Sequence, residues 1–128
     1  MSKKPAPVTE TELAIMEVLW NQSPVTIREI VELLYDQHTP ALHATVKSLL
    51  DRLAAKGFVD GDTSGFMHRF SPRISRQTYV SQELERLADS HFGGAFAPLL
   101  MSLADNTKLS RKERDAIRKI ISSIPENK

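Results

Sequence analysis

Apolar residues return every three to four positions along most of this chain, and the stretches that break the rhythm divide it into elements. Leu13, Met16 and Trp20, widened by Ile15 and Leu19, trace one face of a helix that ends near Asn21. Ser23-Pro24 breaks the pattern. Thr26 and Glu29 then have capping-box spacing, in which hydroxyl and carboxylate each satisfy the other's free backbone N–H. That predicts a second helix, with Ile27, Ile30, Val31 and Leu34 inward and Arg28, Glu29 and Glu32 in solvent. After the connector 36–40, Val46, Leu49, Leu50 and Leu53 mark a third helix closed by Gly57, because glycine takes the left-handed conformation at little cost. This helix starts at Pro40 with Thr39 as its cap, or nearer His43.

From Phe58 the period changes. Two short strands, roughly 58–60 and 66–71, are predicted around a polar, glycine-containing loop, with Pro72 ending the hairpin. Ser75 is placed to cap a fourth helix bearing Val80, Leu84, Leu87 and His91, which Gly93-Gly94 interrupts. A fifth carries Phe96, Leu99, Leu100 and Leu103 to about Asp105-Asn106. The pair Ser110 and Glu113 starts a sixth, through Ile117, Ile120, Ile121 and Ile124 to Pro125. The fold class expected is mainly α with a minor α+β element: a winged helix-turn-helix domain at 1–74 and a helical region at 75–128.

Composition narrows the classes of function. At 128 residues the chain has room for one main core, and 41% hydrophobic with 26% charged residues is ordinary for a folded protein. No cysteine is present, which excludes disulfides, thiolate metal sites and a cysteine nucleophile. The N-terminal lysines lead into no apolar segment and no run is long enough to span a bilayer, so a cytoplasmic protein without membrane insertion is expected. The four histidines show neither HxxxH nor HxH spacing, and the glycines match no phosphate-binding loop. No metal, no cofactor and no enzymatic activity are expected.

Net charge does not favour nucleic acid. Residues 1–75 hold eight Lys/Arg against nine Asp/Glu, net −1, and residues 76–128 hold nine against seven, net +2. DNA binding would have to rest on a local surface. Three helices followed by a ribbon make the third helix the groove reader. Winding it at about 100° per residue opposes Thr45, Ser48 and Arg52, flanked by Ala44 and Lys47, to the apolar stripe. Small side chains let the backbone approach a groove, hydroxyls reach base edges or phosphates, and the helix N-terminus favours anions. His68 and Arg69 in the second strand would meet phosphates from the wing. The plainer reading is that these residues are only the solvated face of a core helix and a hairpin.

The segments Glu12 to Trp20, Val25 to Ile30 and Ala44 to Gly57, with the aromatic strand 66–70 leading to Ser71-Pro72 and Ser75-Arg76, resemble the successive signatures of the penicillinase-repressor family over nearly the whole chain. Ser48 and Phe70 stand where the family commonly has threonine and tyrosine. The resemblance implies a homodimer, joined by its C-terminal helices, on a double-stranded DNA operator that is a short inverted repeat with TACA-like half-sites. In the antibiotic-responsive branch it implies release after a membrane sensor metallopeptidase signals and the repressor is cut. Ser102-Leu103 stands where that branch carries an Asn-Phe-like pair. The copper-responsive branch binds metal through C-terminal cysteines, which this chain lacks.

The residues expected to form the dimer are Leu84, Leu87, Phe92, Phe96, Leu99, Leu100, Leu103, Ile117, Ile120 and Ile121. Some 50 residues of short helices bury too little alone and gain by packing on a copy of themselves, although a cap over the winged domain would also use them. Two other classes stay open. One is a winged-helix module that binds protein, favoured if acidic residues interrupt the stripe of Thr45, Lys47 and Arg52. The other is an enzyme, which needs a concave polar pocket.

Overall fold

The computed structural model describes residues 7–105 and 108–123. Six helices and three short strands follow in the order α1 (Glu10–Asn21), β1 (Val25–Thr26), α2 (Ile27–Tyr35), α3 (Pro40–Ala55), β2 (Val59–Asp62), β3 (Arg69–Pro72), α4 (Arg76–His91), α5 (Phe96–Ala104) and α6 (Arg111–Ser123). The fold is mainly helical with one small antiparallel sheet. Asn106, Ile124 and Pro125, assigned above to helix ends, lie outside the described residues. The chain forms two compact units, one ending at Arg76 and the other starting at Gln77.

The first unit is built around the periodic positions of its three helices. Ile15, Met16 and Leu19 of α1, Ile30 and Val31 of α2, and Val46, Leu50 and Leu53 of α3 are all buried in one core with Phe58 and Val59. Local chemistry fixes where each helix begins. Thr9 and Glu12 form a reciprocal capping box on α1, Thr26 and Glu29 another on α2, and the Thr39 hydroxyl accepts from the Leu42 N–H with Pro40 first in the helix. The start of α3 is therefore Pro40 and not His43. Gly57, at φ 84°, closes α3.

The sheet differs from expectation in two ways. It has three strands, in the order β1-β3-β2, because Val25 pairs with Phe70 and Thr26 with Arg69. The second hairpin strand starts at Arg69 and not Phe66, so Phe66, Met67 and His68 belong to the loop between β2 and β3. Pro72 is the last residue of β3, opposite Val59, and ends the hairpin as expected. At that point only β2 runs alongside, so the missing proline N–H is tolerated. Gly61 opposes Phe70, and a Cβ there would lie 3.0 Å from Phe70 Cε1, so the half-buried ring occupies the space a side chain would need.

The segment after β3 is fastened to α1. Trp20 Nε1–H donates to the Ile74 carbonyl at 2.8 Å, the Arg76 guanidinium stacks 5.4 Å from the Trp20 ring centre, and its Nη2 donates to Glu17 Oε2 at 2.9 Å. In the second unit, Gly93 (φ 61°) and Gly94 (φ 87°) turn the chain after α4. There α5 packs against α6, burying Leu99 and Ala104, and the Ser110–Glu113 capping box starts α6.

Candidate nucleic-acid interface

The outer face of α3 carries the expected row. Ala44, Thr45, Lys47, Ser48 and Arg52 are all exposed, opposite Val46, Leu49, Leu50 and Leu53. Two local interactions set their state. The Thr45 hydroxyl donates to the Ala41 carbonyl at 3.0 Å, leaving its oxygen lone pairs to accept from a partner. Lys47 Nζ bonds Asp51 Oδ2 at 3.2 Å, one turn on. Asp51 therefore interrupts the positive stripe, at an i,i+4 spacing from Lys47 that the sequence already displays.

The loop between β2 and β3 stands beside the N-terminal ends of α2 and α3. Phe66, Met67 and His68 share one shallow hollow with Arg28 of α2 and His43 of α3. The loop is pinned at Asp62, whose Oδ1 accepts from the Ser64 N–H at 3.0 Å and its hydroxyl at 2.6 Å. Those bonds, with the charges of Arg69 and His68, hold the Asp62 carboxyl below its ordinary pKa. Glu29 is lowered too, by its bonds from Thr26 and by Arg69. Arg69 is exposed and acts on two carboxylates at once, and His68 sits in the loop and not on a strand.

Two neighbours of this face were not singled out by sequence. Arg28, at the start of α2, borders the hollow and is paired with Glu32 at 3.2 Å. His43 also borders it, and its Nδ1 lies 2.9 Å from Nε2 of His38, with the rings edge-on. The five-residue separation crosses the cap of α3, so no motif spacing reveals it. Among the described residues no cluster of three or more His, Asp or Glu is placed to hold a metal ion.

The C-terminal positions divide by exposure. Leu84, Leu87, Phe96, Leu103 and Ile120 are exposed, Phe92, Leu100, Ile117 and Ile121 are half-buried, and Leu99 is already buried within its own unit. Ser102 and Leu103 are exposed on the helical backbone of α5. Among the described residues no helix is long and apolar enough to cross a membrane.

Three helices with a hairpin packed on the third define a winged helix-turn-helix protein. The chain belongs to the penicillinase repressor family, whose profile matches residues 8–123. It is a DNA-binding transcriptional repressor of that family and not an enzyme. It is 23% identical to the penicillinase repressor of Bacillus licheniformis over 93% of this chain and 92% of that one. The penicillinase repressor of Staphylococcus aureus is also 23% identical, over 97% of this chain and 98% of its own. The transcriptional regulator BlaI of Mycobacterium tuberculosis is 27% identical over 90% of this chain and 83% of its own. Among solved structures, that of the DNA-binding domain of the repressor BlaI is similar over 62% of this chain and 94% of its own, at 24% identity and a TM-score of 0.47.

Proposed function

We propose that this protein is a cytoplasmic homodimer that represses transcription by placing α3 in successive major grooves of an inverted-repeat operator. In this reading residues 1–74 bind DNA and residues 75–128 dimerise. Ala44 lets the α3 backbone approach, Thr45 and Ser48 reach base edges or phosphates, and Lys47, Arg52, His68 and Arg69 meet phosphates. The observation that carries the reading is the exposed row on α3, with the wing loop beside its N-terminal end, in a chain of this family.

Asp51 by itself would favour a protein partner, but an exposed lysine–carboxylate pair is worth little in water, so Lys47 can exchange it for a phosphate. Footprinting of DNA upstream of the protein's own gene tests the reading. On the protected site, Lys47→Ala and Arg52→Ala each weaken binding and lower the slope of log K against log salt by about one. Equal affinity and slope in both variants would remove these side chains from the interface.

Release, in the same reading, follows a signal from a sensor metallopeptidase and a cut near Ser102-Leu103, lowering the expression block on β-lactamase or related resistance genes. Both residues are exposed, yet they sit on regular helix, so cutting requires α5 to open locally. Mass spectrometry of the repressor before and after induction checks this. An intact chain persisting while the target gene is on would instead favour release by a ligand.

A further inference from the structure

Three cations of the DNA-facing surface have carboxylates beside them. Lys47 pairs with Asp51, Arg28 with Glu32, and Arg69 acts on both Asp62 and Glu29. A phosphate contact made by Lys47, Arg28 or Arg69 must therefore displace an acidic neighbour, and counterion release there gives less net gain than the number of basic residues suggests. The same surface holds an apolar feature that the repressor reading leaves unused. Phe66 is 107% exposed and Met67 59%, consecutive at the wing loop, while other apolar residues of this hairpin, Phe58, Val59 and Phe70, pack into or against the core.

We propose that Phe66 and Met67 form an apolar tip that enters the minor groove beside the α3 site and packs against sugars and base edges there. The inference rests on the DNA reading above. Its geometry follows from groove dimensions. With α3 in a major groove, a loop standing beside its N-terminal end crosses the phosphate ridge to the adjoining minor groove. That groove is about 6 Å wide and admits side chains but not a two-stranded ribbon. The tip offers such side chains, and Arg28, His43 and His68 around the same hollow supply donors for the flanking phosphates. Apolar side chains in a minor groove favour steps that unstack easily, so the tip reads deformability and adds affinity that salt does not screen.

The test uses the full-length protein and the duplex that it protects in footprinting, with 2-aminopurine placed in the minor groove next to the α3 contact. Phe66→Ala lowers affinity about 10-fold and leaves the salt slope unchanged, whereas Arg52→Ala lowers both. Phe66→Leu retains most of the affinity, and the 2-aminopurine fluorescence rise given by the wild type is lost in Phe66→Ala. Because Phe66 touches no core residue, thermal melting of Phe66→Ala matches the wild type. Wild-type affinity in Phe66→Ala would overturn the tip and leave it as a surface for a protein partner. A changed salt slope would also overturn it, by showing that the loop only positions phosphate donors. If the wild type itself binds no sequence above bulk DNA, the repressor reading fails first, and the wing proposal with it.

Discussion

At the scale of single residues, the acid within the reading face decides how the interface uses its charge. Asp51 lies one turn from Lys47 on the exposed side of α3 and would face the same phosphates. A carboxylate there costs non-specific affinity, which depends only on backbone charge, and so sharpens discrimination. Asp51→Asn is expected to tighten binding to a random duplex about fivefold, the equivalent of ~1 kcal/mol for one exposed charge, and to narrow the ratio of specific to non-specific affinity. Fluorescence anisotropy on both duplexes measures this. Weaker operator binding with unchanged random-duplex binding would mean instead that Asp51 accepts from a base edge.

At the scale of elements, the start of α1 and the end of α3 are tied by one buried carboxylate. Glu12 is fully buried. Its Oε1 accepts from the Thr9 N–H at 2.9 Å and from Lys56 Nζ at 2.7 Å, and Lys56 also reaches the Pro7 carbonyl at 3.0 Å. Burial alone would raise the Glu12 pKa, but the bonds from Lys56 and Thr9 outweigh it and hold the carboxyl below its ordinary value. A group depressed in the folded state contributes stability above its unfolded pKa and loses it as the pH falls through the folded one. This contribution is thus present at neutral pH and fades below pH ~4. Lys56→Met should cost about 3 kcal/mol at pH 7, because it leaves a buried charge unpaired, and distinctly less at acid pH, because a buried carboxyl without its cation takes up a proton more readily. Urea melts at neutral and at acid pH check it; an equal cost at both would show that Lys56 acts through packing alone.

At the scale of the whole molecule, the second unit leaves apolar surface uncovered. On α4, Val80, Leu84 and Leu87 are exposed, α6 buries none of its residues, and Phe96, Met101 and Leu103 of α5 face solvent. Val80, Leu84 and Leu87 lie along one face of α4, and an exposed apolar helix face of this kind marks an association site that a second copy of the same helices would cover. The double variant Leu84→Glu/Leu87→Glu is expected to sediment as a monomer and to lose at least 100-fold in operator affinity, because the second half-site contact is no longer intramolecular. A dimer that survives both substitutions would move the interface to other helices. Leu99 offers such an interface little, since α5 and α6 already enclose it.

The helices were determined locally and so were legible in the chain. A 3.6-residue period sorts Ile15, Ile30, Val46 and Leu53 to the core whatever lies across from them, and Thr26–Glu29 and Ser110–Glu113 cap through bonds three residues apart. The same signal at Thr9–Glu12 sets the start of α1 at Glu10, three residues before Leu13, the first position of its apolar period. Tertiary structure decided what depends on distant partners. Two residues, Val25 and Thr26, become a strand only because Phe70 and Arg69 come alongside, and two residues have no period of their own. Phe66 reads as a strand residue by composition, yet the pairing ends at Arg69 and leaves it in water. The contacts between His38 and His43, and between Glu12 and Lys56, likewise arise because helix ends meet in space. Periodicity reports which side of an element is apolar; only packing reports which polar groups and which exposed rings share a surface.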